Sequence, residues 1–160
     1  MKINKKQIYS WALYDWANSA FATTILATIL PIFYKDVAGS SIPDNLATSY
    51  WGYTQTIAMI IIALVSPILG AIADYSDSKK LFLRIFAYIG IIGTGLLYFV
   101  NQGDYILASF IFIIANIGFS GGNVFYDGFL PDITTNDKID FTSSLGYAAG
   151  YLGGGILLAI

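Results

Sequence analysis

The sequence predicts an all-α integral membrane protein with five transmembrane helices. Of its 160 residues, 56% are hydrophobic and 11% are charged, whereas about 25% of the residues of an ordinary soluble domain are charged. Apolar stretches of about 20 residues, the length that crosses the hydrocarbon core as a helix, recur along the chain. Tyr and Trp lie near the ends of several stretches, as side chains at membrane interfaces do.

The predicted spans are separated by polar segments. Because unpaired backbone groups are too costly in lipid, each span is expected to be a helix. The spans cover Tyr14–Tyr34, Tyr50–Ala73, Leu81–Val100, Tyr105–Tyr126 and Ser143–Ile160. Residues 1–13 are then an N-terminal arm, and residues 14–160 are the membrane domain. Since the chain ends within an apolar run, we expect it to be the N-terminal fragment of a longer protein.

The basic residues predict the orientation. Seven of the eight Lys and Arg residues fall on one side of the predicted spans, and Lys35 falls on the other. Cytoplasmic segments carry the excess of Lys and Arg, so the N-terminus is expected in the cytoplasm. The plasma membrane is the expected location. The seven residues are Lys2, Lys5, Lys6, Lys79, Lys80, Arg84 and Lys138.

The composition excludes several kinds of site. The chain has no Cys and no His, and all ten of its acidic residues are Asp. Disulfides, Cys/His zinc sites and His general bases are therefore excluded. We expect no metal, no cofactor and no enzymatic activity. Because the net charge is −2 and no long basic cluster occurs, nucleic acid is not an expected partner.

The first span begins with a polar stripe. Asp15, Asn18 and Ser19 share one helical face, since successive residues are about 100° apart. Polar side chains within a membrane helix normally face the bundle interior or a water-filled cavity, so this stripe is a candidate pathway for substrate or protons. Alternatively, Asp15 lies in the headgroup region and stabilises the positive end of the helix dipole.

A second polar stripe runs along the fourth span. Asn116, Ser120 and Asn123 are spaced four and three residues apart, which predicts a cavity-facing stripe in the same pathway. These groups could instead bond to neighbouring helices. Gly118 and Gly122 lie on this span four residues apart, and this spacing favours close helix packing.

Between the second and third spans, Gly70 is followed by Asp74 and then by the bases Lys79 and Lys80. This segment resembles the cytoplasmic loop between helices 2 and 3 of major facilitator superfamily transporters, in which Gly70, Asp74 and Lys79 occupy matching positions. Ser78 stands where the superfamily has a base. The resemblance implies a gate loop in which Asp74 joins a charged cluster with Asp127, at the cytoplasmic end of the fourth span.

The last span is rich in glycine. Gly146, Gly150 and Gly154 recur every fourth residue and predict a packing face. The same stretch is similar to a superfamily pattern associated with antiport and export, with Tyr151 in place of the expected proline.

Several phrases of the sequence together resemble the vacuole effluxer-like family of the major facilitator superfamily. They are "YDWANSAFATTI", "PIFY", "SPILGAIADYSDSKK", "FYDGFLPDI" and "SLGYAAGYLGGG". The resemblance implies the N-terminal bundle of a twelve-helix secondary transporter that works by alternating access. Its implied partners are the lipid bilayer, a small solute, protons and a C-terminal half that this chain lacks. An amino acid is the first candidate for an exported substrate.

Two other functions remain open from the sequence. A membrane scaffold or assembly subunit would need no transport path, and the polar stripe of the fourth span argues against it. An integral-membrane enzyme would need the metal ligands of lipid phosphotransferases. Phe129, Leu130 and Pro131 follow Asp127-Gly128 where an Arg is required, so this alternative is weaker.

Overall fold

The computed structural model describes residues 4–75 and 78–160, and all regular structure in these residues is helical. The all-α prediction is therefore confirmed. The helices are α1 (Lys5–Ala20), α2 (Leu30–Phe33), α3 (Asp44–Tyr75), α4 (Lys79–Leu96), α5 (Tyr105–Asp127), α6 (Leu130–Ile133) and α7 (Ile139–Ala159).

Helical stretches long and apolar enough to cross a membrane occur four times in the described part of the chain. They are Lys5–Ala38, Asp44–Tyr75, Lys79–Phe99 and Tyr105–Ile133, and they correspond to the first four predicted spans. α7 covers the fifth. α7 is not among the four stretches, so its membrane crossing remains a prediction.

The first span begins earlier in the chain than hydropathy predicts. Helix α1 begins at Lys5 rather than at Tyr14, and the side chain of Asn4 caps it by accepting a hydrogen bond from the Lys6 amide at 3.1 Å. The predicted arm is therefore largely helical within its described residues. Hydropathy detects only the apolar part of a helix, whereas a capped polar turn can extend the helix beyond the lipid.

Two π-helical segments interrupt the α-helical geometry of the first span. They cover Phe21–Ile29 and Tyr34–Ala38 and flank the short helix α2. The Thr28 hydroxyl donates to the carbonyl of Thr23, five residues earlier, at 2.8 Å. Pro31 lies in α2 and lacks the amide hydrogen that an α-helix requires at that position. Wider turns are a known way for a helix to accommodate such a defect.

The described residues form two compact units. One unit comprises the chain up to Ile29 together with Tyr126–Ile160, and the other comprises Leu30–Phe125. In the first unit α7 packs along α1. The second unit contains α2 to α4 and α5 as far as Phe125.

The second unit contains a close helix crossing and an aromatic cluster. A Cβ on Gly118 of α5 would overlap the backbone of Gly90 on α4, so these two helices touch at their backbones. Near this crossing Phe125 is fully buried and stacks on Phe82, with ring centroids 5.1 Å apart.

The predicted gate loop is mostly helical, which corrects the sequence interpretation. Gly70 and Asp74 lie in the last turns of α3, and Lys79 and Lys80 begin α4. Of the residues between these two helices, only Ser78 lies within the described part of the chain. A charged segment between two apolar spans indicates a reversal of the chain, but charge alone does not end a helix.

Candidate functional site

A stack of aromatic rings fixes the beginning of α1 within the first unit. The Trp11 indole lies parallel to the Tyr126 ring, with centroids 4.4 Å apart and planes 5° apart. Its Nε1–H donates to the Tyr126 carbonyl at 2.9 Å. Tyr14 stacks on the same Tyr126 ring at 5.3 Å. Because the parallel rings and the hydrogen bond act together, they hold the polar stripe of α1 in one rotation about its axis.

Asp15 lies half-buried beside this stack. The Ser19 hydroxyl donates to its Oδ1 at 3.4 Å, a long hydrogen bond within one helical turn. Electrostatic interactions connect Asp15 with Tyr14, Tyr126 and Asp127. We call Tyr14, Asp15, Ser19, Tyr126 and Asp127 the acid cluster. The sequence predicts Asp15 in a substrate pathway and Asp127 in a gate, whereas in the structure the two carboxylates interact electrostatically.

Two phenol groups of the acid cluster are enclosed without a hydrogen-bond partner. The hydroxyls of Tyr14 and Tyr126 are buried, and neither bonds to any described residue. Buried polar atoms without partners are rare in folded proteins. Each phenol can donate or accept one proton, so two groups able to pass or receive a proton lie near the Asp15 carboxylate.

The glycines of α7 make room for the side chains of α1. A Cβ on Gly150 would lie 2.5 Å from Oδ2 of Asp15 and 2.6 Å from Oγ of Ser19. One turn before it, a Cβ on Gly146 would overlap the Trp11 ring. One turn after it, a Cβ on Gly154 would lie 2.7 Å from Oγ1 of Thr23. The absence of side chains at these glycines thus allows the polar stripe of α1 to pack directly against α7.

Gly153 also packs against α1, although the sequence analysis did not select it. A Cβ on Gly153 would overlap the carbonyl group of Trp16, whereas a Cβ on Gly155 would meet no atom within 4 Å. The run of three glycines from Gly153 to Gly155 signalled close packing in this region. It could not show that Gly153 faces α1 as Gly154 does, because adjacent residues differ by only about 100° around a helix.

The polar stripe of α5 lies in the second unit. Asn116 is buried, while Ser120 and Asn123 are half-buried and Asn123 makes a further interaction. Gly118 and Gly122 are both buried, and Gly118 forms the crossing with α4 described above. Asn18, in the stripe of α1, is half-buried and also has an interaction. A pathway along these residues remains a prediction.

The residues of the predicted gate differ in their surroundings. Asp74 and Lys80 are exposed, while Lys79 is half-buried and takes part in an interaction. A Cβ on Gly70 would meet no atom within 4 Å, so packing inside the second unit does not require glycine there. Asp74 and Asp127 belong to different units, and the charged gate that would join them remains a prediction.

The structure also contains a hydroxyl-lined groove that the sequence analysis missed. In the second unit the Ser109 hydroxyl lies 2.7 Å from the Tyr34 hydroxyl and 2.7 Å from the Thr54 hydroxyl. These three groups line a groove of about 290 Å³ whose walls include Tyr50, Tyr53 and Tyr105. Ser109 was the available signal, since it is an isolated serine within an apolar span, whereas Thr54 lies next to Tyr53, Gln55 and Thr56 and gives no separate signal.

Comparison with known proteins identifies the family. Residues 43–144 match the family described as Vacuole effluxer Atg22 like. The chain belongs to this family. The match includes α3, α4 and α5 and ends within α7, so it covers most of the second unit and part of the first.

Curated relatives agree with this assignment. An uncharacterized MFS-type transporter of Bacillus subtilis, YxiO, is 42% identical over 96% of this chain. Autophagy-related protein 22-2 of Aspergillus fumigatus is 32% identical over 84% of the chain, and autophagy-related protein 22 of Coccidioides immitis is 25% identical over 84%. The alignments cover 36%, 29% and 29% of these relatives, so the chain spans about a third of their length. No solved structure matches the chain significantly.

Proposed function

We propose that this chain supplies the N-terminal helices of a secondary transporter that exports a small solute by alternating access. Membership of the Atg22-like family carries the proposal, because its described relatives include a protein named as an MFS-type transporter. Four membrane-length helices and a half-buried carboxylate within the first of them support it. Amino acids are the first substrates to test, as the family resemblance implies.

The acid cluster is the proposed centre of coupling. Asp15 lies in an apolar membrane span, its carboxylate accepts a bond from Ser19, and two enclosed phenols lie nearby. An ionisable group within a membrane helix is by default a candidate for proton or substrate handling. We therefore assign proton binding to Asp15 and assign Asn18 and Ser19 to the adjoining pathway. Asp127 would sense the charge of Asp15 through their electrostatic interaction.

The gate is proposed to lie at the turn between α3 and α4. Asp74 lies at the C-terminal end of α3 and is exposed, so its carboxylate is accessible to a partner helix. A carboxylate is stabilised by the positive end of a helix dipole, which is the contact that the superfamily resemblance implies for Asp74. Lys79 and Lys80 would place positive charges near the Asp74 carboxylate.

Transport is proposed to require a second half of the protein. Substrate sites of transporters built from repeats lie between the repeats, and the relatives are about three times as long as their alignments with this chain. The polar stripe of α5, Asn116, Ser120 and Asn123, would then contribute one wall of the pathway. The plasma membrane is the proposed location, because the 42% identical relative is bacterial.

A chimera tests the proposed function. This chain replaces the aligned segment of the Bacillus subtilis relative, and the chimera is reconstituted into vesicles loaded with a mixture of amino acids. We expect saturable counterflow of at least one amino acid from vesicles that contain the chimera. We expect none from vesicles that contain the 160-residue chain alone.

Two outcomes of this assay contradict parts of the proposal. Saturable flux by the 160-residue chain alone would show that a second half is not required. Flux by the intact relative without flux by a correctly inserted chimera would show that this chain does not support transport, and would favour a scaffold role. Flux restricted to solutes other than amino acids would support the transport function but would show that amino acids are not the substrates.

A further inference from the structure

A second groove lies in the first unit, between the beginning of α1 and the segment that leads into α7. Its volume is about 200 Å³. We call it the basic groove. Its polar lining residues are Lys5, Thr134, Lys138 and Thr142, and its apolar lining residues are Ile8, Tyr9, Phe141 and Leu145. The transport proposal assigns no role to any of these residues.

Two lysines from different parts of the chain line the basic groove. Lys5 comes from α1 and Lys138 from the residue before α7. Both helices begin at the groove, and the N-terminal end of a helix carries a partial positive charge that favours anions. In the described part of the chain the direct ion pair is between Lys35 and Asp44, so neither lysine of the groove makes a direct ion pair with a carboxylate there.

Nearby carboxylates offset part of this charge. Asp137 is fully exposed and interacts with Lys138, and a hydrogen bond with Thr135 is the main reason that the pKa of Asp137 is below its usual value. Because Asp137 remains ionised at neutral pH, Lys138 alone would attract an anion weakly. Asp140, exposed in the first turn of α7, is also close to Lys138 in the chain, so the attraction for an anion depends on Lys5 from the other helix.

The floor of the groove offers a hydrogen-bond donor. The Thr142 hydroxyl donates to the Thr134 hydroxyl at 3.0 Å, and both side chains are buried. A hydroxyl has one proton and two acceptor positions. Thr134 therefore accepts the bond from Thr142 and keeps its own proton to donate to an oxygen in the groove.

The walls of the groove are apolar and open to the surroundings of the helices. Phe141 is 73% exposed and Tyr9 is 66% exposed. A free inorganic anion would gain nothing from these rings. An amphipathic molecule with an anionic head would place its head between the lysines and its chain along Tyr9, Phe141 and Leu145.

We propose that the basic groove binds the phosphate of an anionic phospholipid, with one acyl chain along its apolar wall. Lys5 and Lys138 pair with the phosphate, and the Thr134 hydroxyl donates to one of its oxygens. Basic pockets between transmembrane helices bind anionic headgroups in this way. The bound lipid would hold the first turns of α1 and α7 together.

Lipid-specific fluorescence quenching tests this proposal. Because the chain has no Cys, the exposed Ser144 of α7 can be replaced by a single Cys and labelled with a fluorophore. The labelled chain is reconstituted into phosphatidylcholine vesicles that contain increasing fractions of lipid with brominated acyl chains. The brominated lipid is phosphatidylglycerol in one series and phosphatidylcholine in the other.

We expect phosphatidylglycerol to reach half-maximal quenching at a mole fraction about tenfold lower than phosphatidylcholine, as two lysines near a headgroup predict. The double variant Lys5→Gln/Lys138→Gln should show no preference, while Lys5→Arg/Lys138→Arg should retain it. The matched control Lys6→Gln/Lys80→Gln removes the same charge elsewhere and should also retain it.

Several results would overturn the proposal. One is equal quenching by the two lipids in the unsubstituted chain. Another is a preference for phosphatidylglycerol that persists in the Lys5→Gln/Lys138→Gln variant. A third is an equal loss of this preference in the matched control. Displacement of the bound lipid by millimolar inorganic phosphate would show that the groove recognises free phosphate rather than a lipid. Quenching by phosphatidylcholine serves as a check that each variant is inserted in the membrane.

Discussion

Gly150 of α7 lies directly against the carboxylate of Asp15 on α1. A Cβ at position 150 would lie 2.5 Å from Oδ2 of Asp15 and 2.6 Å from Oγ of Ser19. The residue that the sequence suggested for helix packing therefore adjoins the residue that it suggested for proton binding. Because Gly150 contacts Asp15, a substitution at Gly150 is expected to affect both the packing of α7 on α1 and the proposed proton binding by Asp15.

Gly150→Ala should destabilise the first unit, because the added methyl group must displace Asp15 or separate α7 from α1. Overpacking of this kind costs about 1–3 kcal/mol. Gly155→Ala is the matched control, since a Cβ there meets no atom within 4 Å. The free energy of unfolding measured in mixed micelles separates the two variants. Equal stability of Gly150→Ala and Gly155→Ala would contradict the contact.

Ser109→Ala should destabilise the second unit, because the hydroxyls of Tyr34 and Thr54 both contact the Ser109 hydroxyl. Leaving a buried polar group without its partner costs about 1–3 kcal/mol. Thr56→Ala removes an exposed hydroxyl that bonds to the Gly52 carbonyl, and it serves as the control. The same unfolding measurement applies. A change in stability no larger than that of the control would show that the network is not stabilising.

The Lys and Arg distribution predicts which ends of the spans face the cytoplasm. Single Cys residues can be introduced at the exposed positions Ser40, Gln102, Lys80 and Asn136 without a native Cys background. An impermeant maleimide added to intact cells should label positions 40 and 102. Positions 80 and 136 should react only after the cells are broken. Labelling of position 80 in intact cells would reverse the predicted orientation.

Asp15→Asn in the chimera should abolish pH-driven flux and leave substrate counterflow, because the amide cannot carry a proton but keeps a similar shape. Asp36→Asn, which alters an exposed carboxylate in a different segment, should leave both activities unchanged. Flux driven by a pH gradient and counterflow without a gradient are measured on the same vesicles. If pH-driven accumulation persists in Asp15→Asn, the proton is carried elsewhere and Asp15 has a binding or packing role.

Asp74→Asn in the chimera should shift the protein towards the state that opens to the cytoplasm, because it removes the charge proposed to hold the gate closed. Dipole and charge effects of about 0.3–2 kcal/mol change a two-state ratio by roughly 2- to 30-fold. The rate at which a Cys at position 120 reacts with a thiol reagent from the cytoplasmic side reports this shift. A rate equal to that of the unsubstituted chimera would argue against a gate role for Asp74.

The order and type of the membrane-length elements could be predicted from the sequence. A run of apolar residues long enough to cross the bilayer has one stable backbone conformation there, because only a helix pairs its own polar groups. The family could also be predicted, since phrases such as that around Asp15 carry it and the match over residues 43–144 confirms it. Helix ends were less predictable. Asn4 extends α1 into the polar arm, and α3 continues to Tyr75 through the segment interpreted as a loop.

Which residues share a site was decided only by the tertiary structure. Asp15 and Asp127 are more than a hundred residues apart in the chain, and no local pattern connects them until α7 and Tyr126 pack against α1. Tyr34 and Ser109, which are 75 residues apart, are likewise brought together only by the fold, as are Lys5 and Lys138. Hydropathy and spacing fix local conformation and helix faces, because both depend on neighbouring residues. Contacts between distant helices depend instead on where glycines let two backbones approach, and that fit exists only once both helices are in place.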